Sequence, residues 1–594
     1  MKKGWALLSI LCLLFVGFND IKAQSDKSED NGASDDKIDE LFTQSEEYQE
    51  MKELIDEYSG VSQLYDADGN EVEEVPLPKS RMRRSVARAA SDYSVSYGIV
   101  DFYSNRTGNY IEYIDEATGL VGYLGGTNSG AYLGKDAQNR IRFKMSGVVG
   151  AILPSYESQV AVYGDVNHLY TSFYRVESGK LWHYINYNNA QNLYYKKMVG
   201  YAQDVPYLTA NVNYFSYDGH YFYQNEHQMY DDYKANTYAY PHAVNAGKPY
   251  YNYFQYLTHR ASSNYSAQEF DAYTNDIVGS AASQMKGLGT YYVSYGQTYG
   301  VNALMAYAVS CNESAYGKSE IAMTKNNLFG HAAYDSSPSA SANKYPNPQY
   351  SIYVHMHSFI SRGYLDPGDY RYNGGHLGDK ASGVGLKYAS DPWWGETAAA
   401  IMYAVDEYNG KKDYKVYTVG IKENSDNVNI RKEPNTSSTV LYRTGKNVSY
   451  PFVILDSVKG ETVNGSDVWY KIQTDPNLNA SRTGFDTVDN NYNPDGDYDK
   501  DNSYAYIHSS YVKIVSEGNG QIITPSPSYL KGDVNGDGKI SSMDYVLVKD
   551  HILKITTLSG SSLSAADVNG DGKISSMDYV LIKDHILGIN LIKQ

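Results

Sequence analysis

The apolar pattern changes character along the chain. Lys2 and Lys3 precede an apolar run from Trp5 to Phe18, closed by Ile21-Lys22-Ala23. Between residues 93 and 215 the pattern is one of short strands between turn signals: Ile99–Phe102, Tyr110–Ile114, Arg140–Met145 and the Tyr-rich stretch 168–187. Helical spacing then takes over. Val301, Leu304, Met305, Ala308 and Val309 share one face, which predicts a buried helix running toward Cys311-Asn312-Glu313. Asp391-Pro392 is a helix start, with a side-chain cap followed by Pro, and the helix after it buries Trp394, Ala398, Ile401, Met402 and Val405. Strand patterns return at 468–472 and 505–512, and the last 64 residues contain an internal repeat.

The first run is fourteen residues long, too short to span a bilayer, and reads as a signal peptide cut after Ala23. Export is therefore expected. Of the two cysteines, Cys12 leaves with the signal, so the mature chain is expected to hold together without an internal disulfide. The formal charge of −18 is concentrated in one place. Residues 24–78 carry 18 Asp/Glu against 3 Lys, a net of −15, and the rest of the chain is close to neutral. Residues 24–92 read as an acidic disordered linker, with a basic cluster at Arg81, Arg83, Arg84 and Arg88. No clustered basic face appears, so a nucleic-acid partner is not expected, and no further run suggests a transmembrane anchor. Tyrosine supplies 63 of the 82 aromatic residues. That imbalance predicts rings that pack or stack while the hydroxyl stays wet, and it makes residues 93–215 a candidate β-rich accessory module for carbohydrate or cell-wall attachment. A Tyr-packed module with no ligand fits the same composition.

Glu313 lies near the C-terminal end of the helix that begins around Val301. The unpaired carbonyls there, with partial burial, disfavour an ionised carboxylate, as a general acid requires. Taken alone, one Glu after a helix is usually a solvated or capping residue. It stands, however, in Glu313-Ser-Ala-Tyr-Gly-Lys-Ser, followed by Ala322, Asn326-Asn327-Leu328-Phe329-Gly330, Ala333-Tyr334-Asp335, Tyr372-Asn373-Gly374 and Lys387-Tyr-Ala-Ser-Asp-Pro-Trp-Trp-Gly-Glu396. This ordered string resembles the glucosaminidase family of cell-wall hydrolases, glycoside hydrolase family seventy-three. The resemblance implies a lysozyme-like catalytic domain, mainly helical with a small β-lobe, that cleaves on the reducing side of N-acetylglucosamine in peptidoglycan or, for relatives, in N-glycans. It implies Glu313 as proton donor, Tyr388 as the cleft tyrosine, and Tyr316, Asn327, Phe329 and Trp393 along the substrate groove. Some members place a second glutamate in the β-lobe. Here Asp335 is the sole carboxylate between His331 and Ser351, so either Asp335 or the substrate's N-acetyl group is expected to take that role. His331, His355, His357 and His376 show no metal spacing.

Residues 415–515 look like a bacterial SH3-type barrel, opened by Val428-Asn-Ile-Arg-Lys-Glu-Pro434 and closed by Ala505–Val512; in relatives such a barrel binds cell-wall peptides or glycan. A linker follows at 516–530, with Pro525-Ser-Pro527. The segments Asp533–Leu553 and Asp567–Leu587 then match at 20 of 21 positions. Each opens Asp-x-Asn-x-Asp-Gly-Lys-Ile, with a further Asp at position 12, which follows the logic of an EF-hand loop. The implied Ca²⁺ positions are Asp533, Asn535, Asp537, Lys539 and Asp544 in one loop, and Asp567, Asn569, Asp571, Lys573 and Asp578 in the other. The duplication resembles a dockerin, a small all-α module with two Ca²⁺ that docks on a cohesin-bearing scaffold.

The chain is thus expected to be multidomain: signal peptide 1–23, linker 24–92, β-rich module 93–215, catalytic domain 216–410, SH3-like barrel 415–515 and dockerin 531–594. The expected function is a secreted or cell-surface endo-β-N-acetylglucosaminidase acting on peptidoglycan. The rivals are an endoglycosidase for N-glycans, an enzyme cutting at the muramic acid linkage, and an inactive surface adhesin.

Overall fold

A computed structural model describes residues 64–72, 96–102, 110–125, 129–164, 166, 169–187, 189, 191–235, 239–331, 342–422, 427–485, 498–519, 530–535, 539–558 and 560–592. The expected signal peptide, the Arg81–Arg88 cluster, Asp335 and Asp537 lie outside the described residues. The chain divides into two compact units. One comprises 1–252, 330–343 and 378–400; the other comprises 253–329, 344–377 and 401–594. These boundaries cut across the motif-based ones, because 216–252 and 378–400 join the β-rich part.

The first unit holds two antiparallel sheets. Strands β3 (Gly98–Asp101), β4 (Ile111–Asp115), β5 (Val121–Leu124), β6 (Ser129–Lys135), β7 (Ile141–Met145), β8 (Val148–Ile152) and β9 (Ala161–Gly164) pair in the order β5-β4-β8-β7-β6-β3-β9. Their alternation puts Val100, Ile111, Tyr113, Ile141, Phe143 and Ile152 into one core. The second sheet has the order β10-β11-β12-β1-β2, built from β10 (Phe173–Glu177), β11 (Lys180–Asn186) and β12 (Tyr194–Tyr201). Its last two strands, β1 (Leu64–Tyr65) and β2 (Glu71–Val72), come from the stretch expected to be a disordered linker. This corrects that reading for residues 64–72. Leu64 and Tyr65 pair with Tyr195 and Tyr194, and the turn between the strands is fixed by Asp66, whose Oδ1 accepts from the N–H of Asp68 and of Asn70. Asp66, one of the acidic residues that suggested disorder, is here a turn former. Helix α1 (Glu226–Ala235) buries Met229, Tyr230 and Tyr233 in a further core.

The second unit begins with helices. They are α2 (Tyr253–Tyr256), α3 (Ala267–Val278), α4 (Gly289–Tyr299), α5 (Ala303–Ser314), α6 (Glu320–Lys325) and α7 (Pro348–Val354), the last continuing as π-helical turns over His355–Tyr364. A third antiparallel sheet follows. It runs β15-β14-β18-β17-β16-β13-β19, from β13 (Thr418–Lys422), β14 (Asn429–Arg431), β15 (Val440–Arg443), β16 (Tyr450–Val463), β17 (Ser466–Gln473), β18 (Tyr504–His508) and β19 (Lys513–Ser516). Arg260 ties helices and sheet together. Its buried guanidinium donates to the carbonyls of Asp475 and Tyr299 and to Ser361 Oγ, at 2.7–3.0 Å, and lies over the Tyr498 ring. Burial lowers it to about 10. Five donors in a rigid fork suit it to bridge carbonyls that no shorter side chain reaches together.

The tyrosine surplus serves the cores as well as any surface. Among the described residues, the twelve largest fully buried side chains are all tyrosines. Their hydroxyls are not all wet: Tyr292 Oη meets Ser310 Oγ at 2.6 Å and Tyr307 Oη meets Thr274 Oγ1 at 2.6 Å. A buried phenol paired in this way avoids the desolvation penalty of an orphan donor. No described helix is long and apolar enough to cross a membrane.

Candidate active site

Helix α5 is capped by Asn302, whose side chain accepts from the N–H of Met305, and its residues 303–311 and 314 are buried. It is a core helix all round. Within it only Asn312 and Glu313 are half-buried, at the last turn. The helix stops because Ala315, Tyr316 and Gly317 are all left-handed, with φ of 49°, 58° and 75°. Three such residues in a row are costly for the two with side chains, so the turn must be held from outside. It is. Ser283 Oγ donates to the Tyr316 carbonyl, Gln284 N–H donates to the Gly317 carbonyl, and Ser314 Oγ accepts from Gly317 N–H, at 2.7, 3.0 and 2.7 Å. A Cβ on Gly317 would stand 2.7 Å from Met285 N, so both the conformation and the close approach require glycine. The Glu-Ser-Ala-Tyr-Gly motif therefore encodes a rigid reversal that fixes the backbone immediately after Glu313.

The expected groove residues are placed differently from the sequence reading. Tyr316 is buried and its phenol is pushed up by burial; Asn327 is buried, with Oδ1 accepting from Phe329 N–H. Phe329 is 1 % exposed and stacks on His355 at 3.8 Å between ring centres. Trp393 is 6 % exposed, sits in the core of the first sheet and meets His183 edge-on. None of the four presents an open face. The motif spelled the packing behind a surface rather than the surface itself, because an apolar ring next to a charged site is most stable inside.

Tyr388 ends a short helix, α8 (Gly385–Tyr388), half-buried with its ring against Trp394 at 4.8 Å. Asp391 then starts α9 (Trp394–Tyr408), its Oδ1 accepting from Trp393 N–H at 2.9 Å. Glu313, Tyr316, Asn327 and Phe329 belong to the second compact unit, and Tyr388 and Trp393 to the first. Two buried contacts in the first unit left no signal in the sequence. His183 pairs with Glu396, and Ser146 Oγ donates to the Pro392 carbonyl at 2.6 Å.

At the C-terminus, helices α10 (Ser542–Ile552), α11 (Gly560–Ala566) and α12 (Ser576–Ile586) surround a small core of Val534, Val548, Ala566, Val568 and Ile582. Tyr545 stacks on Tyr579 at 4.0 Å, each ring from the equivalent position of its repeat. Asp544 is buried, accepting from Val534, Asn535 and Ser541 N–H, and Asp578 likewise accepts from Asn569 and Ser575. In the second loop Asp567 accepts from the N–H of Asp571 and Gly572, a closed turn lined by oxygen. Lys539 and Lys573 occupy the loop position that supplies a backbone carbonyl in EF-hand logic. Among the described residues no three His, Cys, Asp or Glu side chains converge as a metal-binding group.

Residues 289–407 match the family described as mannosyl-glycoprotein endo-beta-N-acetylglucosaminidase, and residues 531–587 match the type I dockerin domain. The chain carries a glucosaminidase domain and a dockerin domain. Two curated proteins from strains of Streptococcus pneumoniae, each named "Putative endo-beta-N-acetylglucosaminidase", are 32% identical to it over 228 residues. That stretch is 36% of this chain and 33% and 31% of the relatives, so the chain spans about a third of their length. Among solved structures, Staphylococcus aureus autolysin E aligns at 21% identity over 27% of this chain and 73% of its own, with a TM-score of 0.22. A catalytic mutant of that protein in complex with the disaccharide NAG-NAM aligns at 20% identity over 26% and 73%, also with a TM-score of 0.22. The glucosaminidase segment takes in α4 to α9, and with it Glu313 and Tyr388. The expectation of several domains, with a glucosaminidase domain and a dockerin among them, stands.

Proposed function

We propose that this protein is a secreted or cell-surface endo-β-N-acetylglucosaminidase that hydrolyses peptidoglycan on the reducing side of N-acetylglucosamine and is held on a cohesin-bearing scaffold by its dockerin. The observation that carries this reading is the place of Glu313. Within the glucosaminidase segment it stands half-buried at the end of an otherwise buried helix, followed by a locked backbone reversal. A carboxyl carried on backbone fixed in this way suits protonation of a glycosidic oxygen. Asp335 or the substrate's own N-acetyl group supplies the second function, and Tyr388 takes the role of the cleft tyrosine. Tyr316, Asn327 and Phe329 act as packing behind Glu313 in the second unit, and Trp393 as packing in the unit that carries Tyr388.

The C-terminal loops would hold Ca²⁺ through Asp533, Asn535, Asp537, Lys539 and Asp544, and through Asp567, Asn569, Asp571, Lys573 and Asp578. The all-oxygen donor set suits a hard cation, and each position-12 carboxylate is already aimed back at the N–H of the loop's third residue. Residues 415–515 are proposed as an SH3-like wall-binding module. A cavity of about 310 Å³ there, lined by Asn429, Arg431, Trp469, His508 and Tyr511 among others, supports that reading.

The test is a digest of purified peptidoglycan read by mass spectrometry of the reduced products. N-acetylglucosaminitol at the new ends is expected; muramitol at those ends assigns the cut to the other linkage. The N-glycan reading is favoured by the name of the matched family alone. Release of high-mannose glycan from a glycoprotein, with peptidoglycan left intact, replaces the proposal with it.

A further inference from the structure

The segment 385–390, which carries Tyr388, is held by its carbonyls. Lys380 Nζ reaches the carbonyl oxygens of Gly385, Leu386 and Ala389 at 3.4, 3.5 and 2.8 Å. Tyr123 Oη donates to the Lys387 carbonyl at 3.1 Å, and Gly125 N–H to that of Ser390 at 2.7 Å. Five of six consecutive carbonyls thus end on donors that lie on β5, just after it, or on Lys380. The lysine is itself fixed. It is 1 % exposed, its backbone N–H donates to the Ser146 carbonyl at 2.9 Å, and its ammonium lies 4.8 Å from the centre of the Tyr123 ring.

From this geometry we infer that Lys380 is a positioning residue for the glycosidase reaction, setting Tyr388 in place by gathering the carbonyls of the turn that carries it. The inference rests on the reading of the protein as a glucosaminidase. An ammonium has three donors and no acceptor, so one side chain can close three carbonyls left open at the C-terminal end of so short a helix. An apolar residue of equal length would fill the space and leave those carbonyls unpaired. Burial lowers the amine to about 7; of the charges facing it, Asp391 and Asp379 oppose that shift and Lys387 adds to it. A lysine placed there against such a penalty is not explained by packing. The same contacts give the first sheet a part in the reaction, since β5 supplies Tyr123 and the loop after it supplies Gly125.

The test is a double-mutant cycle in the full chain, with muropeptide release from isolated peptidoglycan as the assay. Lys380→Met and Tyr388→Phe are each expected to lower kcat by about tenfold or more with KM within about twofold, and the double variant to be no slower than the slower single one. That non-additivity is the sign of one residue acting through the other; a general loss of stability would multiply through. Full additivity, or a folded Lys380→Met protein with the wild-type rate, overturns the inference. Should Lys380→Met fail to fold, Lys380→Gln, which exchanges the ammonium for a shorter amide, takes its place in the cycle, and the same two outcomes decide. A wild-type protein that releases no muropeptide sinks the glucosaminidase reading, and this inference with it, before any variant is compared.

Discussion

His183 Nδ1 stands 2.8 Å from Glu396 Oε1, both side chains almost wholly enclosed, so that strand β11 is tied to the first turn of the helix that follows Tyr388. The His183 ring also stacks on Tyr174 at 4.1 Å. Removing one member of such a pair leaves a buried polar group with nothing to replace it. Glu396→Ala is expected to lower unfolding free energy by about 3 kcal/mol, and Glu396→Gln, which keeps an acceptor, by about 1. Chemical denaturation measures both. An alanine variant as stable as the wild type means that the pair contributes nothing net.

Glu313→Gln removes the proton donor with little change of shape. Muropeptide release is expected to fall by about 10²–10⁴-fold while the melting temperature stays near that of the wild type. Normal turnover by the folded variant assigns the acid elsewhere.

Asp335 is tested by the product's anomer. If it is a general base acting on water, the anomeric centre inverts. Proton NMR of the fresh product separates inversion from the retention that the N-acetyl route gives. Asp335→Asn with near-normal turnover moves the role to the substrate.

The C-terminal domain should depend on Ca²⁺. Its buried apolar core is only five residues, too few to hold it firmly without further ties. Calorimetric titration of the full chain is expected to show Ca²⁺ binding that is lost together by Asp533→Ala and Asp567→Ala, each removing one site. Equal stoichiometry in wild type and variants assigns the ion to other residues.

Asp413 gives the second unit a pH-dependent stability. Burial raises its carboxyl to about 7, and Asp406, also raised by burial, adds to it. Asp413 Oδ1 accepts from Asn264 N–H at 2.7 Å, and Asp406 Oδ1 from Tyr265 Oη at 2.5 Å, while neither Oδ2 has a hydrogen-bond partner among the described residues. The folded state therefore holds its proton where the unfolded chain has lost it. This stability is present in full below the ordinary carboxylate range and is lost as pH rises through about 7. The upper limit is about 4 kcal/mol. Asp413→Asn, which cannot ionise, should flatten the fall in melting temperature between acid and mildly alkaline pH. An unchanged slope places the titration on another group.

The sequence by itself determined what is local. The buried face of α5, the Asp391-Pro392 start of α9, the alternation in β4 and β7, and the duplicated loops are written in spacing, capping and turn chemistry that act within a few residues. The motif around Glu313 was legible for the same reason, because a helix end and a left-handed glycine are short-range demands. What the sequence left open depended on partners far along the chain. Residues 64–72 read as disordered from their acidity, yet they form strands once Tyr194 and Tyr195 are beside them. Trp393 read as a groove residue, because no local pattern tells an aromatic ring under a surface from one on it; only the sheet core of Phe143 and Ile152 decides that. Lys380 carried no signal at all. Its meaning lies in carbonyls brought to it by the turn at 385–389 and in Tyr123, more than 250 positions earlier. A lysine's place in a sequence says where its charge begins, and only the folded course of the chain says which carbonyls it must satisfy.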